Sequence, residues 1–342
     1  MKAVVKTKRE TGIDVLDVPR PEIGPTDILV RTARGSMCGT DVHIYEWTPS
    51  YYFMNLPTII GHEFSGQVVE IGSEVNHVQV GDRISALPSM ACGACPNCRT
   101  GRISACTARL SPGMGTDGFF AEYGRLTTAA SIFRLPENVS YEAAALLEPF
   151  SVSMTAVDVS GFKIGYKTAV LGPGPIGLFT TQILRASGAA MVMAVGARGD
   201  AKRLMTAERI GADVSVNIED EDPVKRARSV APRGLDIVYE ATGNPKSVAQ
   251  ALDMVRNGGT VVLIGIHSGE ASFDPTPMVR GSKKIVGAYS YTTQTWQRAM
   301  DLFSNGSVDP EAVISHRLGL DDAEKGFELA LKKEAIKVMF VP

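Results

Sequence analysis

Between residues 168 and 264, short apolar runs alternate with helical stretches, and no other feature of this 342-residue chain limits its fold so sharply. Residues 168–171 read as a short buried strand and 176–186 as an apolar helix. A strand at 191–195 and a helix at 201–210 follow. Further strands are expected at 214–217, 235–239 and 260–264, with a helix around 245–256. Strand–helix units of this length build a parallel, doubly wound sheet. The first junction carries Gly172-Pro-Gly174-Pro175-Ile176-Gly177, a G-x-G-x-x-G pattern between strand and helix. The first glycine makes the tight turn, the second admits a pyrophosphate, and the third lets helix and strand pack. The phosphates then meet the positive end of the helix dipole. Alone the pattern is often only a glycine-rich turn, but the flanking alternation makes it a dinucleotide site for NAD or NADP.

The choice between the two depends on the end of the second strand. A carboxylate there binds the ribose hydroxyls of NAD, whereas a missing acid with nearby cations accepts a 2′-phosphate. This chain has Gly196 at that place, followed by Arg198, Asp200, Lys202 and Arg203. Asp200 reaching back, or Arg203 stacking on adenine, would still suit NAD, so both coenzymes stay open.

The first 150 residues have a different texture. β-type runs at 28–32, 66–71 and 83–87 alternate with Gly and Pro punctuation, which reads as an all-β body with loops. After Glu148-Pro149 a helical pattern spans 151–160. Helices at 295–304 and 322–332 and a strand at 337–341 close the chain. Two domains are expected, 151–290 for the dinucleotide and 1–150 rejoined by 291–342. A net charge of −2 offers no cationic surplus for nucleic acid. The longest apolar stretches, such as 260–266, fall well short of the roughly 20 residues of a membrane span. The N-terminal MKAVVKTKRE turns charged too soon for a signal core. With an odd cysteine count, the expected compartment is the cytoplasm.

Four of the five cysteines lie in ACGACPNCRTGRISAC, at Cys92, Cys95, Cys98 and Cys106. Four thiolates this close together satisfy a tetrahedral Zn²⁺ completely, with Gly93, Pro96 and Gly101 allowing the tight turns. An iron–sulfur cluster is also open to four cysteines. A redox dithiol would need one CxxC on a thioredoxin-like unit, and a disulfide framework does not suit this size and compartment. A closed zinc site leaves no position for a substrate, so the role expected of it is structural.

A second constellation is Cys38-Gly-Thr40-Asp-Val-His43 with Gly61-His62-Glu63. Cys38, His62 and a carboxylate would make three mixed ligands with a fourth position open, the arrangement of a catalytic zinc. Each residue taken singly also reads as a small buried thiol, a core histidine or a surface acid. The order of these motifs, then the four-cysteine lobe, then G-x-G-x-x-G, resembles the zinc-containing medium-chain alcohol dehydrogenases along essentially the whole chain. Within them it is most similar to sorbitol and other polyol dehydrogenases and to L-threonine 3-dehydrogenases.

The resemblance implies a β-rich GroES-like catalytic domain, with a structural zinc lobe at 91–106, beside a Rossmann domain. It implies two zinc ions per chain. Cys38 and His62 would hold the catalytic one, with Glu63 and Glu148 supplying carboxylates, one as ligand and the other through water or by exchange. Zinc would acidify a secondary alcohol, hydride would pass to the nicotinamide, and Thr40 and His43 would relay the proton to solvent. Ile264-Gly265-Ile266 and Ala288-Tyr289 would line the nicotinamide.

On substrate, Glu148-Pro-Phe-Ser-Val152 is similar to the polyol enzymes, whereas Cys38 to Trp47 is very like the threonine enzymes. The segment Ala288 to Thr295 lacks the Arg-Glu pair that threonine enzymes carry after the corresponding tyrosine. A sugar alcohol or other vicinal diol is preferred, in a pocket walled by Tyr45, Trp47, Phe53, Phe119 and Tyr291. L-Threonine is the alternative. A zinc-stapled NAD(P)H sensor without turnover is the alternative from another class, and the intact Cys38, His62, Glu63 and Glu148 set argues against it. A zinc-free quinone-type reductase is disfavoured for the same reason. The family implies a homodimer or homotetramer.

Overall fold

The punctuated β-type runs of the first 150 residues fold, in the computed structural model, as eight strands. They are β1 (Lys2–Lys6), β2 (Asp14–Asp17), β3 (Asp27–Ser36), β4 (Thr58–Ile59), β5 (Glu63–Ile71), β6 (Arg83–Ala86), β7 (Tyr123–Thr127) and β8 (Ile132–Arg134). The alternating region supplies β9 (Lys167–Leu171), β10 (Met191–Gly196), β11 (Val214–Asn217), β12 (Leu235–Glu240), β13 (Val255–Leu263) and β14 (Lys284–Gly287). Then come β15 (Ile314–Gly319) and β16 (Lys337–Val341). The structure describes residues 1–100, 105–127, 130–267 and 269–342. By contacts it divides into two units. One comprises Met1–Glu148, Thr292–Asn305 and Ile314–Pro342, the other Pro149–Tyr291 and Gly306–Val313.

In the first unit a seven-stranded sheet runs β15-β16-β3-β5-β6-β8, with β7 also paired to β3. β1, β2 and β4 form a separate three-stranded antiparallel sheet. Strand β3 is the centre of the arrangement. Its end pairs with the start of β5, Ser36 opposite Glu63 and Gly35 opposite Phe64. On its other side β16 pairs antiparallel, Met339 opposite Ser36 and Phe340 opposite Gly35. Three distant sequence segments thus meet within one or two residues of Cys38 and His62. Apolar side chains of β3, β5 and β6 (Ile28, Val30, Phe64, Val68, Ile84) pack with Phe119 in one core. Phe64 and Phe119 stack face to face at 3.5 Å between ring centroids.

In the second unit six strands pair in parallel in the order β11-β10-β9-β12-β13-β14, the doubly wound arrangement expected from the alternation. β10 is buried along its whole length, as a sheet covered on both faces requires. The polarity of strand order reverses at β9, so a ligand crevice forms beyond the carboxyl ends of β9 and its neighbours. Three elements were not expected: the helices Pro223–Val230 and Pro275–Arg280 and the strand β14. The helix expected over 245–256 runs Pro245–Met254. Strand β13 begins at once at Val255 and carries extra residues, Gly258 among them, before its register with β12 resumes at Thr260. The helix expected at 151 starts at Leu147, because Pro149 sits in its first turn, where a missing N–H is harmless.

Candidate functional site

Cys38 follows the end of β3 and caps the helix Gly39–Tyr45, while His62 and Glu63 stand where β5 begins. The ladder between β3 and β5 therefore brings a thiol, an imidazole and a carboxylate from two segments to one place. Ligand atoms of Cys38, His62 and Glu63 all lie within 4.8 Å of one another, and His62 and Glu63 are buried. Asp41, fully buried, organises the trio. One carboxylate oxygen accepts a hydrogen bond from the Cys38 N–H (2.8 Å) and the other stands 3.5 Å from His62 Nδ1. That contact leaves Nε2 of His62 for a metal, the usual division of labour at a histidine ligand.

Electrostatics fit a cation at this point. Burial pushes the Cys38 thiol up, opposed by the neighbouring His62. Burial works against a charged His62 as well, yet Asp41 and Cys38 hold it well above the ordinary histidine value. A thiol and an imidazole that both retain protons here are groups a metal displaces protons from on binding. Glu63 is balanced on one side only. Its Oε2 lies 2.6 Å from Lys337 Nζ and accepts a hydrogen bond from the Ser36 hydroxyl, whereas Oε1 is buried with no hydrogen-bond partner among the described residues. Lys337 is itself buried and also donates to the Met37 carbonyl at 2.7 Å. A carboxylate oxygen left over beside a thiol and an imidazole has the donor chemistry and the proximity that could hold a metal ion. Glu148 is half-buried and lies outside that trio; its negative charge acts on Cys38 from a distance.

Thr40 and His43, both on the Cys38-capped helix, are linked by a residue the sequence did not single out for this role. The Tyr51 hydroxyl donates to Thr40 Oγ1 at 3.3 Å, and its ring stacks on His43 with centroids 6.3 Å apart. Burial pushes the Tyr51 phenol up, so it stays protonated and keeps a proton to donate. His43 is half-exposed, with Glu46 3.9 Å from its Nδ1. The aromatic wall expected from sequence is corrected at three of its five positions. Tyr45, Trp47 and Phe119 are buried in core clusters, and Phe53 is 67% exposed. The accessible aromatics of this segment are Tyr51, Tyr52 and Phe53.

The four other cysteines form a separate group. Cys92, Cys95, Cys98 and Cys106 place their sulfurs within 4.8 Å of one another, with pairs at 3.4, 3.5 and 3.9 Å. Thiolates about 2.3 Å from a tetrahedral zinc stand roughly 3.8 Å apart, so the cluster has the right size for that ion. Backbone N–H groups of Cys92 and Cys95 point at sulfurs of Cys106 and Cys92, each at 3.4 Å. Backbone hydrogen bonds hold Cys95 down to about 6 and lower Cys106, while burial pushes Cys98 up to about 12. Gly101, expected to ease a turn in this lobe, lies outside the described residues.

In the second unit the helix Pro175–Ala186 starts directly after Gly174, which caps it. A Cβ on Gly177 would stand 2.0 Å from the Gly172 carbonyl oxygen, so this position cannot carry a side chain without parting helix from strand. A Cβ on Gly174 would meet nothing within 4 Å. The open space at the helix N-terminus is the cradle a pyrophosphate needs. Pro175 and Ile176 form the first turn and are half-buried.

At the end of β10 the room for an acid is gone, since a Cβ on Gly196 would press on Pro173 (2.9 Å) and on Asp200 Cβ (3.0 Å). Asp200 is engaged with the Ala197 N–H at 3.0 Å and with Arg203 at 3.1 Å. Arg198 extends into solvent, its side chain 78% exposed and 3.7 Å from Glu219. Beyond β13 and β14, Ile264-Gly265-Ile266 and Ala288-Tyr289 leave neighbouring strands side by side, since Leu263 pairs with Gly287. The Ala288 N–H donates to the Leu263 carbonyl, and Ile266 and Tyr289 are 75% and 67% exposed.

Comparison with known proteins agrees in both units. Residues 24–137 match the model of the alcohol dehydrogenase GroES-like domain, and 175–305 that of zinc-binding dehydrogenases. The L-threonine 3-dehydrogenase of Bacillus licheniformis is 36% identical, covering 100% of this chain and 99% of that protein. A zinc-binding dehydrogenase from Sinorhizobium meliloti 1021, solved bound to NADP, superposes with a TM-score of 0.91 at 32% identity, covering 100% and 99% of the two chains. The 2R,3R-butanediol dehydrogenase of Bacillus subtilis gives 0.92 at 29% identity with the same coverage.

Proposed function

The chain belongs to the zinc-type medium-chain alcohol dehydrogenases, and from that membership we propose that it oxidises a sugar alcohol or another vicinal diol at a secondary hydroxyl, with NADP⁺ as preferred hydride acceptor. The observation that carries the catalytic reading is the Cys38, His62 and Glu63 trio, a mixed donor set separate from the full four-thiolate cluster. A sensor or a zinc-free reductase needs no such trio. Zinc held by these residues would supply the positive charge that makes an alcohol hydroxyl acidic, and the nicotinamide would accept the hydride. The chain's own residues do the rest. Asp41 orients His62, and Lys337 with Ser36 fixes one oxygen of Glu63, leaving Oε1 to ligate. Glu148 is the second carboxylate, acting through its charge or through water. The substrate proton leaves by the Thr40 hydroxyl, with Tyr51 and His43 carrying it towards solvent.

A neutral polyol is supported by how the nearby cation is used: Lys337 is committed to Glu63 and the Met37 carbonyl and is not offered to a substrate carboxylate. L-Threonine is the second reading, favoured by likeness to the threonine enzymes. NADP is supported by the crowded Gly196, by an Asp200 already paired with Arg203, and by the outstretched Arg198. We assign coenzyme binding to the second unit, with Gly172, Gly174, Pro175, Ile176 and Gly177 at the pyrophosphate, Arg198 and Arg203 near the ribose, and 264–266 with 288–289 at the nicotinamide. Five unpaired cysteines support a cytoplasmic home, and among described residues no helix is long and apolar enough to cross a membrane. Among the described residues β14 pairs on one side only, which supports a homodimer or homotetramer.

The test is a panel of polyols, 2,3-diols and L-threonine, each with NAD⁺ and NADP⁺. Turnover of diols with a higher kcat/KM for NADP⁺ is expected. Turnover of L-threonine alone would overturn the substrate, and an NAD⁺ preference the coenzyme.

A further inference from the structure

Glu240 ends β12 and is fully buried, yet none of the chemistry above uses it. Its Oε1 accepts hydrogen bonds from the Thr242 N–H (2.7 Å), the Thr242 hydroxyl and the Ser247 hydroxyl (2.8 Å). Its Oε2 stands 3.0 Å from His267 Nε2, and neither of these two buried atoms has a hydrogen-bond partner among the described residues, so each is the other's close ionisable neighbour rather than a formal hydrogen-bond partner. The backbone of Glu240 faces the same way, its carbonyl accepting the N–H groups of Ile264 (2.8 Å) and Gly265 (3.0 Å). Between those anchors and His267 lies the exposed Ile266. A Cβ on Gly265 would come within 2.9 Å of Glu240 Oε2, so the loop rests directly on the carboxylate. One buried residue thus meets a four-residue loop at both ends, by its backbone carbonyl at 264–265 and by its carboxylate at His267.

We propose that His267 is a positioning residue for the coenzyme: paired with Glu240, it holds the loop 264–266 in the shape against which the nicotinamide packs. This rests on the reading that 264–266 line the nicotinamide. A loop fixed before binding spares the coenzyme the entropy of ordering it, so the pair sets affinity for the nicotinamide end alone. The adenosine and pyrophosphate groups bind at β9, β10 and the helix Pro175–Ala186, which His267 does not support.

The experiment uses full-length wild type, His267→Ala, His267→Gln, Glu240→Gln and the double variant combining His267→Ala with Glu240→Gln. Each is titrated with NADPH and with 2′-phospho-ADP-ribose, which lacks the nicotinamide; NADH and ADP-ribose are run in parallel, so the outcome does not depend on the phosphate preference. Losing this close polar contact, and leaving a buried carboxylate oxygen with no neighbour, should weaken NADPH binding by His267→Ala roughly tenfold, with the fragment changed less than about twofold. Gln, whose amide can replace Nε2, should restore most of the loss, and it keeps the test valid if the alanine variant folds poorly. Glu240→Gln should weaken NADPH as His267→Ala does, and the double variant should be no worse than either single one. Equal weakening of coenzyme and fragment, or no weakening of either, would overturn the proposal. Wild type that binds the fragment as tightly as NADPH would overturn the nicotinamide reading beneath it, and wild type that binds neither would overturn dinucleotide binding as a whole.

Discussion

Replacing Lys337 by methionine isolates the electrostatic balance of the catalytic trio. Methionine keeps the apolar stem and removes the ammonium, leaving the carboxylate of a completely buried Glu63 without its cation. At 2.6 Å the pair attracts with about 6 kcal/mol if the effective dielectric constant is about 20. Part of that returns because Lys337 no longer has to be desolvated, and breaking one side of a buried pair typically costs about 3–5 kcal/mol. The loss should be largest in metal-free protein, because a zinc ion beside Glu63 restores a compensating charge. Both tryptophans, Trp47 and Trp296, are buried in the first unit, so their fluorescence during urea unfolding reports on that unit. The gap between wild type and Lys337→Met should therefore widen when chelator is added. Adding Glu63→Gln to the metal-free Lys337→Met protein should recover much of the stability, since no charge is then left unpaired. A metal-free Lys337→Met protein as stable as wild type, or no recovery by Glu63→Gln, would refute the reasoning.

Arg198→Ala should lower the ratio of kcat/KM for NADP⁺ over NAD⁺ by about five- to tenfold, the modest size reflecting how exposed this cation is; steady-state kinetics with both coenzymes checks it. Elemental analysis should find two zinc ions in wild type and one in either Cys38→Ser or Cys98→Ser, with activity lost in the first and thermal stability in the second. Glu142 accepts hydrogen bonds from Arg317, at 3.0 and 2.6 Å, and from Arg34, and Arg317 above all holds its carboxyl below the ordinary value. A carboxyl depressed in the folded state contributes stability above its unfolded value and loses it as pH falls through the folded one. Arg317→Ala should accordingly be less stable than wild type at neutral pH, with the difference shrinking in acid; urea melts across that range decide it.

Local features were readable from sequence and distant ones were not. G-x-G-x-x-G declared itself because its glycines, strand and helix occupy some twenty consecutive residues. Asp41 sat in plain view between Thr40 and His43, where its contact to the Cys38 N–H is a local helix cap, but its buried contact to His62 appears only once the distant start of β5 is brought beside it. Lys337 had no local signal at all, because its partnership with Glu63 exists through the β16–β3–β5 ladder. The helix Pro223–Val230 did carry one, Asp222 as cap followed by proline, and was missed for want of a long apolar face. The aromatic wall failed for another reason. Residue type says that Tyr45 and Trp47 are large and apolar, not which side of the helix end they take, and the left-handed backbone at Trp47 (φ 54°) belongs to a segment packed into the core.

The position of Lys337 also has a consequence for synthesis. It lies 300 residues downstream of Met37, whose carbonyl it binds, and the entire second unit is made in the interval. At about 5–20 residues per second, a ribosome needs roughly 15–60 s to cover that distance. During that time the β3 and β5 segments carry Cys38, His62 and Glu63 without the Lys337 cation beside the carboxylate. The late strand β16 brings that cation to the site by pairing with β3. A chain stopped before β16 would contain the whole second unit and the Cys38, His62 and Glu63 trio, yet lack the charge that balances Glu63.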